Sequence, residues 1–285
     1  MSVKKLRRLA VTAVVWMLIL AASLTSATYA WFTSNTRVST SRATARTSSD
    51  AVTLEISAAG GENFRAVDAA PITQVNRTDA QNLMPVSTAD LRTFFRCTLL
   101  DGSRTSYQVV TEERDYYHGV VYLRAVVEGQ STGGRLALYL DESASGGGVL
   151  ASASDGYLLN AARLGLTFNG GNGKIFYLSA RQNAASDQVR NTYLNGALVR
   201  DGMVLGGTAG NILAVNDPAA PLSAYTISTE NGALRLPNEP LLYMELNTIY
   251  AVDVYFYLEG CDPDCSDAVS FDAADLHLAF YGILE

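Results

Sequence analysis

The residues able to do chemistry are few. Two histidines, His118 and His277, and three cysteines, Cys97, Cys261 and Cys265, are spread over 285 residues. Neither histidine lies in His-Glu-x-x-His, the helical spacing that aims two imidazoles at one zinc ion. Serines are plentiful, but no Gly-x-Ser-x-Gly elbow lifts one of them above a sheet. Pairs of carboxylates can be picked out of any acidic chain, so they carry no information about glycoside hydrolysis. The run Asn169-Gly170-Gly171-Asn172-Gly173-Lys174 invites a phosphate-loop reading. It fails, because Lys174 is followed by Ile175 rather than Ser or Thr, and the leading glycine of that motif is missing. The expectation is a protein without catalysis and without a cofactor.

One stretch gathers acidic groups: Glu259-Gly260-Cys261-Asp262-Pro263-Asp264-Cys265-Ser266-Asp267. Asp262, Asp264 and Asp267 make a calcium candidate, since calcium takes six to eight oxygen ligands. The EF-hand spacing is absent, and an exposed turn between strands accounts for the same residues. Cys261 and Cys265 flank Asp-Pro-Asp and can close a tight loop if their Cα geometry permits a disulfide. Cys97 is then left as a small buried hydrophobe or an intermolecular thiol. The alternative is that all three cysteines are reduced.

The elements that must position these groups read as strands. Val52, Leu54 and Ile56 alternate with Thr53, Glu55 and Ser57, the period of a half-buried strand. Val120–Val127 reads as a strong strand, and alternating faces recur in Gly133–Leu140, Leu164–Phe168, Thr248–Glu259 and Ala274–Leu284. Leu91–Leu100 and Tyr107–Thr111 form a candidate hairpin around Asp101-Gly102-Ser103. Asn169–Gly173 is a turn that uses Asn and Gly for positive φ. Tyr157–Arg163 suggests a short helix, Ala180–Asn191 one helical turn. Glu62–Asp90, Ser143–Ser154 and Asp201–Ala220 read as long loops. About ten strands and few helices predict an all-β fold, an antiparallel β-sandwich of jelly-roll type. The terminal strand is expected to pair with an early one and close the sandwich.

The amino terminus has a different character. Lys4, Lys5, Arg7 and Arg8 come first, and no charged residue follows from Leu9 through Asn35 and Thr36, up to Arg37. A basic start, an apolar core and a small residue at the cut are the parts of an export signal. Cleavage is expected after Ala30, with Ala27 as a weaker position; an uncleaved anchor is the competing reading, because Leu9–Ala30 is long enough to span a bilayer. Residues 1–30 are thus a signal peptide, 31–50 a flexible segment and 51–285 the sandwich. Removing the four cations leaves 17 basic against 28 acidic residues, a net charge of −11. Such an acidic export product does not suit nucleic acid.

Thr28-Tyr29-Ala30, then Trp31-Phe32, a polar stretch and a first strand at Ala51–Ser57 resemble the TasA/camelysin group of secreted Gram-positive proteins. The resemblance covers roughly the first sixty residues and rests beyond them on strand pattern and on the C-terminal segment Leu258-Glu259-Gly260…Asp262-Pro263-Asp264-Cys265. It implies processing by a dedicated signal peptidase, a place on the cell surface or in a biofilm matrix, and assembly into fibres. Thr33–Asp50 reads from composition as a solvated linker; the resemblance makes it a donor strand, with Trp31 and Phe32 as anchors buried in a neighbour. The partners are then further copies, head to tail, or related matrix subunits. Some camelysin relatives are credited with metalloprotease activity, which the missing zinc motif argues against here. The alternative function is a secreted carbohydrate- or surface-binding module. Its loops at 62–90 and 201–220 hold only one aromatic, Phe64.

Overall fold

The structure is a computed structural model. It describes residues 37–47, 52–58, 60–66, 70–75, 83–88, 90–101, 104–110, 115–127, 134–141, 150–152, 157–178, 199–200, 203–206, 211–213, 219–230, 233–259 and 273–285. Strands are numbered along the chain. The first sheet contains β1 (Arg37–Thr47), β9 (Arg135–Asp141), β10 (Leu150–Ser152), β17 (Thr226–Glu230), β18 (Ala233–Arg235), β19 (Leu242–Glu245) and β21 (Ala273–Leu284). Its path is β1-β21-β9-β17-β18, with β10 on β21 and β19 on β9.

The second sheet is built on β20 (Ile249–Glu259). Along one side runs β11 (Ala162–Phe168), followed by β12 (Lys174–Tyr177) and β16 (Ala220–Pro221). The other side is shared end to end by β8 (Tyr117–Val127) and β5 (Pro85–Ser87). Beyond β8 lie β2 (Val52–Ser57), β3 (Arg65–Ala66) and β4 (Thr73–Gln74); beyond β5 lie β6 (Phe95–Asp101) and β7 (Arg104–Val109). A separate ribbon is made of β13 (Val199–Arg200), β14 (Met203–Gly206) and β15 (Asn211–Leu213), of which β14 and β15 fall in the stretch expected to be a loop. One helical turn, α1 (Tyr157–Ala161), leads into β11 as the sequence suggests.

The alternation assigns the faces. Val252, Val254, Phe256 and Leu258 of β20 point inward with Leu54, Leu123, Leu164 and Leu166. Leu136, Leu138 and Leu140 of β9, and Leu276, Leu278 and Phe280 of β21, meet them from the first sheet in one apolar cluster. A smaller cluster covers part of the outward face of the second sheet: Val86, Leu91, Phe94, Tyr116, Ile175 and Tyr257. The all-β class is as expected. The purely antiparallel pairing is not, because β1 runs parallel to β21, β17 to β9, β5 to β20 and β16 to β12. Each of these parallel partners is remote in sequence, and no local turn dictates its direction.

Residues 91–94 were expected to begin a strand but form a loop. Leu91 has φ +58°, in the left-handed region where a bulky side chain is rare. Its backbone N–H donates to Thr88 Oγ1 at 3.0 Å, while Asp90 Oδ1 accepts from the N–H groups of Arg92 and Thr93, each at 2.9 Å. The strained backbone is held by what the side chain fills. A Cβ at Gly165 would collide with both methyl carbons of Leu91, and one at Gly173 would stand 2.6 Å from Leu91 Cδ1. Two glycines therefore make the socket for one leucine. Gly165→Ala should destabilise the protein by about 1–3 kcal/mol in chemical denaturation, the usual cost of overpacking. Adding Leu91→Ala should recover part of that loss, which identifies Leu91 as the group displaced.

Candidate functional site

Three strands bring a polar group together on the outward face of the second sheet. His118 on β8 and Asp253 on β20 are diagonal neighbours, and Thr167 on β11 lies directly across from Asp253. His118 Nε2 is 3.0 Å from Asp253 Oδ1, and the Thr167 hydroxyl donates to Asp253 Oδ2 at 3.0 Å. The His118 ring stacks on Tyr255, its cross-strand partner, with centroids 4.4 Å apart. The hydrogen bond from His118 holds the Asp253 carboxyl below the ordinary carboxylate range; Thr167 and the imidazole charge add to this, and partial burial opposes it. The order of groups is hydroxyl, carboxylate, imidazole. A hydrolytic relay needs the imidazole in the middle, so this arrangement is a clasp across three strands rather than a Ser–His–Asp geometry.

The aromatic side chains near it are already engaged. Phe94 and Tyr116 stack at 3.8 Å, and Phe94 meets Tyr257 edge-on at 5.5 Å. The Phe64 ring lies under the Arg124 guanidinium, 4.3 Å from its centroid, while Arg124 also pairs with Glu55 at 2.6 Å. Phe64, the aromatic that a glycan site in the 62–90 loop would require, is thus spent on an internal contact. His277 lies on β21 in register with Arg42, far in sequence from His118. Among the described residues no group of three or more His, Cys, Asp or Glu is placed to hold a metal ion.

The assembly segment gives the clearest geometry. Residues 37–47, expected to be a linker or a strand free to leave, form an eleven-residue strand in the protein's own first sheet. Its register on β21 runs from Arg37 opposite Ala273 to Thr47 opposite Gly282, with one irregularity between Thr40 and Arg42. The small residues Ala43 and Ala45 come opposite Leu278 and Phe280, and Ala43 is fully buried in the main core. The physical reason is a demand for backbone partners: the exposed edge of β21 offers N–H and C=O groups, and Ser/Thr-rich chain takes them as readily as it takes water. On its other side Ala43 exchanges two backbone hydrogen bonds with Ala70, at 2.8 and 3.0 Å.

Several expected site residues lie outside the described residues: Thr28, Tyr29, Ala30 and Trp31 at the cut, the anchor Phe32, the pair Cys261 and Cys265, and the acidic trio Asp262, Asp264 and Asp267. Cys97 falls on β6 opposite Tyr107 of β7. The clasp was missed from sequence because its members are separated by 49 to 135 positions and each sits on an ordinary alternating strand. Among the described residues no helix is long and apolar enough to cross a membrane. Comparison with family models, curated proteins and solved structures gives no match to this chain.

The clasp carries a pH dependence. With its folded value depressed, Asp253 binds fewer protons folded than unfolded, so its stabilisation is complete above the unfolded carboxyl value of about 3.9 and is lost as pH falls through the lower folded value. Asp253→Asn should lower stability at pH 7 by about 1–3 kcal/mol. It should also make the remaining stability fall less steeply below pH of about 4, as read from urea denaturation across pH.

Proposed function

We propose that this chain is an exported structural subunit of the cell surface or extracellular matrix, which assembles by laying its first strand along the last strand of another copy. The observation that carries the reading is the seat of β1. Among the described residues it is an edge strand whose one long ladder is with β21, and residues 48–51 separate it from β2 in the other sheet. The slot that accepts β1 from its own chain is the slot that would accept it from a neighbour, with the same register and the same hydrogen bonds. Exchange of an identical element between copies costs little, because each lost contact is remade. A head-to-tail exchange does not close on itself and gives a filament.

The composition of the strand fits this use. Arg37–Thr47 has Val38 as its single large aliphatic residue, so little apolar surface meets water while the strand is in transit. Its arginines, Arg37, Arg42 and Arg46, disfavour pairing of two β1 edges with each other. The basic n-region and the Thr28-Tyr29-Ala30 cut supply the export step, and the signal peptidase is the first partner. Trp31 and Phe32 would then sit just ahead of the exchanged strand, available to fill a pocket on the receiving copy. The group resembled is the TasA/camelysin type, and the reading needs no catalytic residue and no cofactor.

The experiment is direct. The exported form should begin at Trp31 by N-terminal sequencing and form filaments by electron microscopy. Thr44→Pro, which deletes an N–H facing β21, should abolish filaments. Filaments of undiminished number and length from Thr44→Pro would sink the proposal.

A further inference from the structure

The first strand is held from two sides, and the second side has a defined construction. Ala43 directs both its N–H and its C=O away from β21 and into Ala70, as a single antiparallel bridge. Ala70 is followed by Pro71, which biases the residue before it towards extended backbone and so presets the bridging conformation. Ile72 is buried in the main core, where its Cγ2 crowds the position a side chain on Gly119 would take. Thr73 and Gln74 then pair with Val120 and Gly119 of β8, and the Val75 N–H donates to the His118 carbonyl at 2.9 Å. Thr73 Oγ1 also donates to the Ala58 carbonyl at 2.7 Å. Residues 70–75 therefore form a strap, anchored on the second sheet, whose first residue grips an edge strand of the first.

We infer that this strap is an autoinhibitory clip: the Ala43–Ala70 bridge sets how readily the first strand leaves its own sheet, and thereby paces its transfer to another copy. For its consequence the inference rests on the fibre-subunit reading; the clip itself is a property of the single chain. The sides of the strand divide the work. Because Ala43 faces the strap, the N–H groups of its neighbours Arg42 and Thr44 face β21 by the alternation of a strand. The ladder to β21 would be remade in the neighbour. The bridge to Ala70 is the contact that must open first, since the strap closes over the free edge of the strand.

Two changes move the clip in opposite directions. Ala70→Pro deletes the N–H that donates to the Ala43 carbonyl. Ala43→Cys with Ala70→Cys closes the bridge covalently, since the Cα atoms of a hydrogen-bonded antiparallel pair stand about 5.5 Å apart, inside the disulfide range. The pair is made with Cys97→Ser, Cys261→Ser and Cys265→Ser, and this background without the pair is its reference. The first readout is hydrogen exchange at the Arg42 and Thr44 amides of the unassembled protein; the second is the lag before filaments form. Ala70→Pro should speed exchange at both amides on the order of tenfold, leave β20 unchanged, and shorten the lag. The oxidised cysteine pair should slow exchange and block filaments, and reductant should restore both. Exchange at Arg42 and Thr44 that ignores Ala70→Pro, or filaments that grow equally fast from oxidised and reduced pairs, would overturn the clip. If Ala70→Pro does not fold, the cysteine pair alone decides. If exchange responds as expected but no version of the protein ever forms filaments, the clip stands and the fibre-subunit reading falls.

Discussion

Eleven residues with hardly any apolar side chain must still place their backbone N–H and C=O groups somewhere. Leaving such groups buried and unpaired costs about 1–3 kcal/mol each. Arg37–Thr47 meets that demand by lying parallel to β21 on one side and by bridging to Ala70 on the other. Much else follows from this seat. β21 becomes an internal strand, flanked by β1 and β9, and its inward residues Leu276, Leu278 and Phe280 are sealed in the core. The first sheet is tied at its edge to the second through the strap at 70–75. The strand is bound by main-chain hydrogen bonds rather than by large side chains, which is the kind of contact that a second copy could reproduce.

The rest of the structure shows how the outward face of the second sheet is managed. Leu91 adopts an unfavourable backbone conformation so that its side chain can fill the socket left by Gly165 and Gly173. The aromatics Phe94, Tyr116 and Tyr257 pack with it and cover the far end of β20. Nearer the other end, His118, Asp253 and Thr167 fasten β8, β20 and β11 with polar contacts. Arg124 does the same between β8 and β2 through Glu55. These polar groups hold neighbouring strands together across the face.

The edges themselves differ in chemistry. β1 carries three arginines and no acidic residue. At the opposite end of the same sheet, β18 pairs, among the described residues, with β17 alone and exposes Leu234, followed by Leu236 just beyond it. Its Arg235 pairs with Glu230 at 3.0 Å across the hairpin. Charge on a short edge strand is a common guard against indiscriminate pairing. In the proposed fibre, that guard leaves exchange of β1 into a ready slot as the favoured way for copies to join.

Much of this was legible along the chain. Unbroken alternation in Thr248–Glu259 and Ala274–Leu284 marked the two central strands and their inward residues, because a side chain on every second position must face one way. Asn169 and Gly170 marked the β11–β12 hairpin, and both adopt positive φ there. The expectation that the final strand meets an early one also holds, although the partner is the segment read as a linker. Ser, Thr, Ala and Arg are equally at home in water and on a sheet edge, so composition could not tell a linker from β1. The parallel direction of that pairing, the grip of Ala70 and the meeting of His118 with Asp253 were decided only when distant segments packed. Sequence by itself determined which residues turn inward, since that depends on neighbours one and two positions away. Tertiary structure decided which backbone edges meet, since hydrogen bonding between main chains is blind to side-chain identity and is settled by which edge is left open.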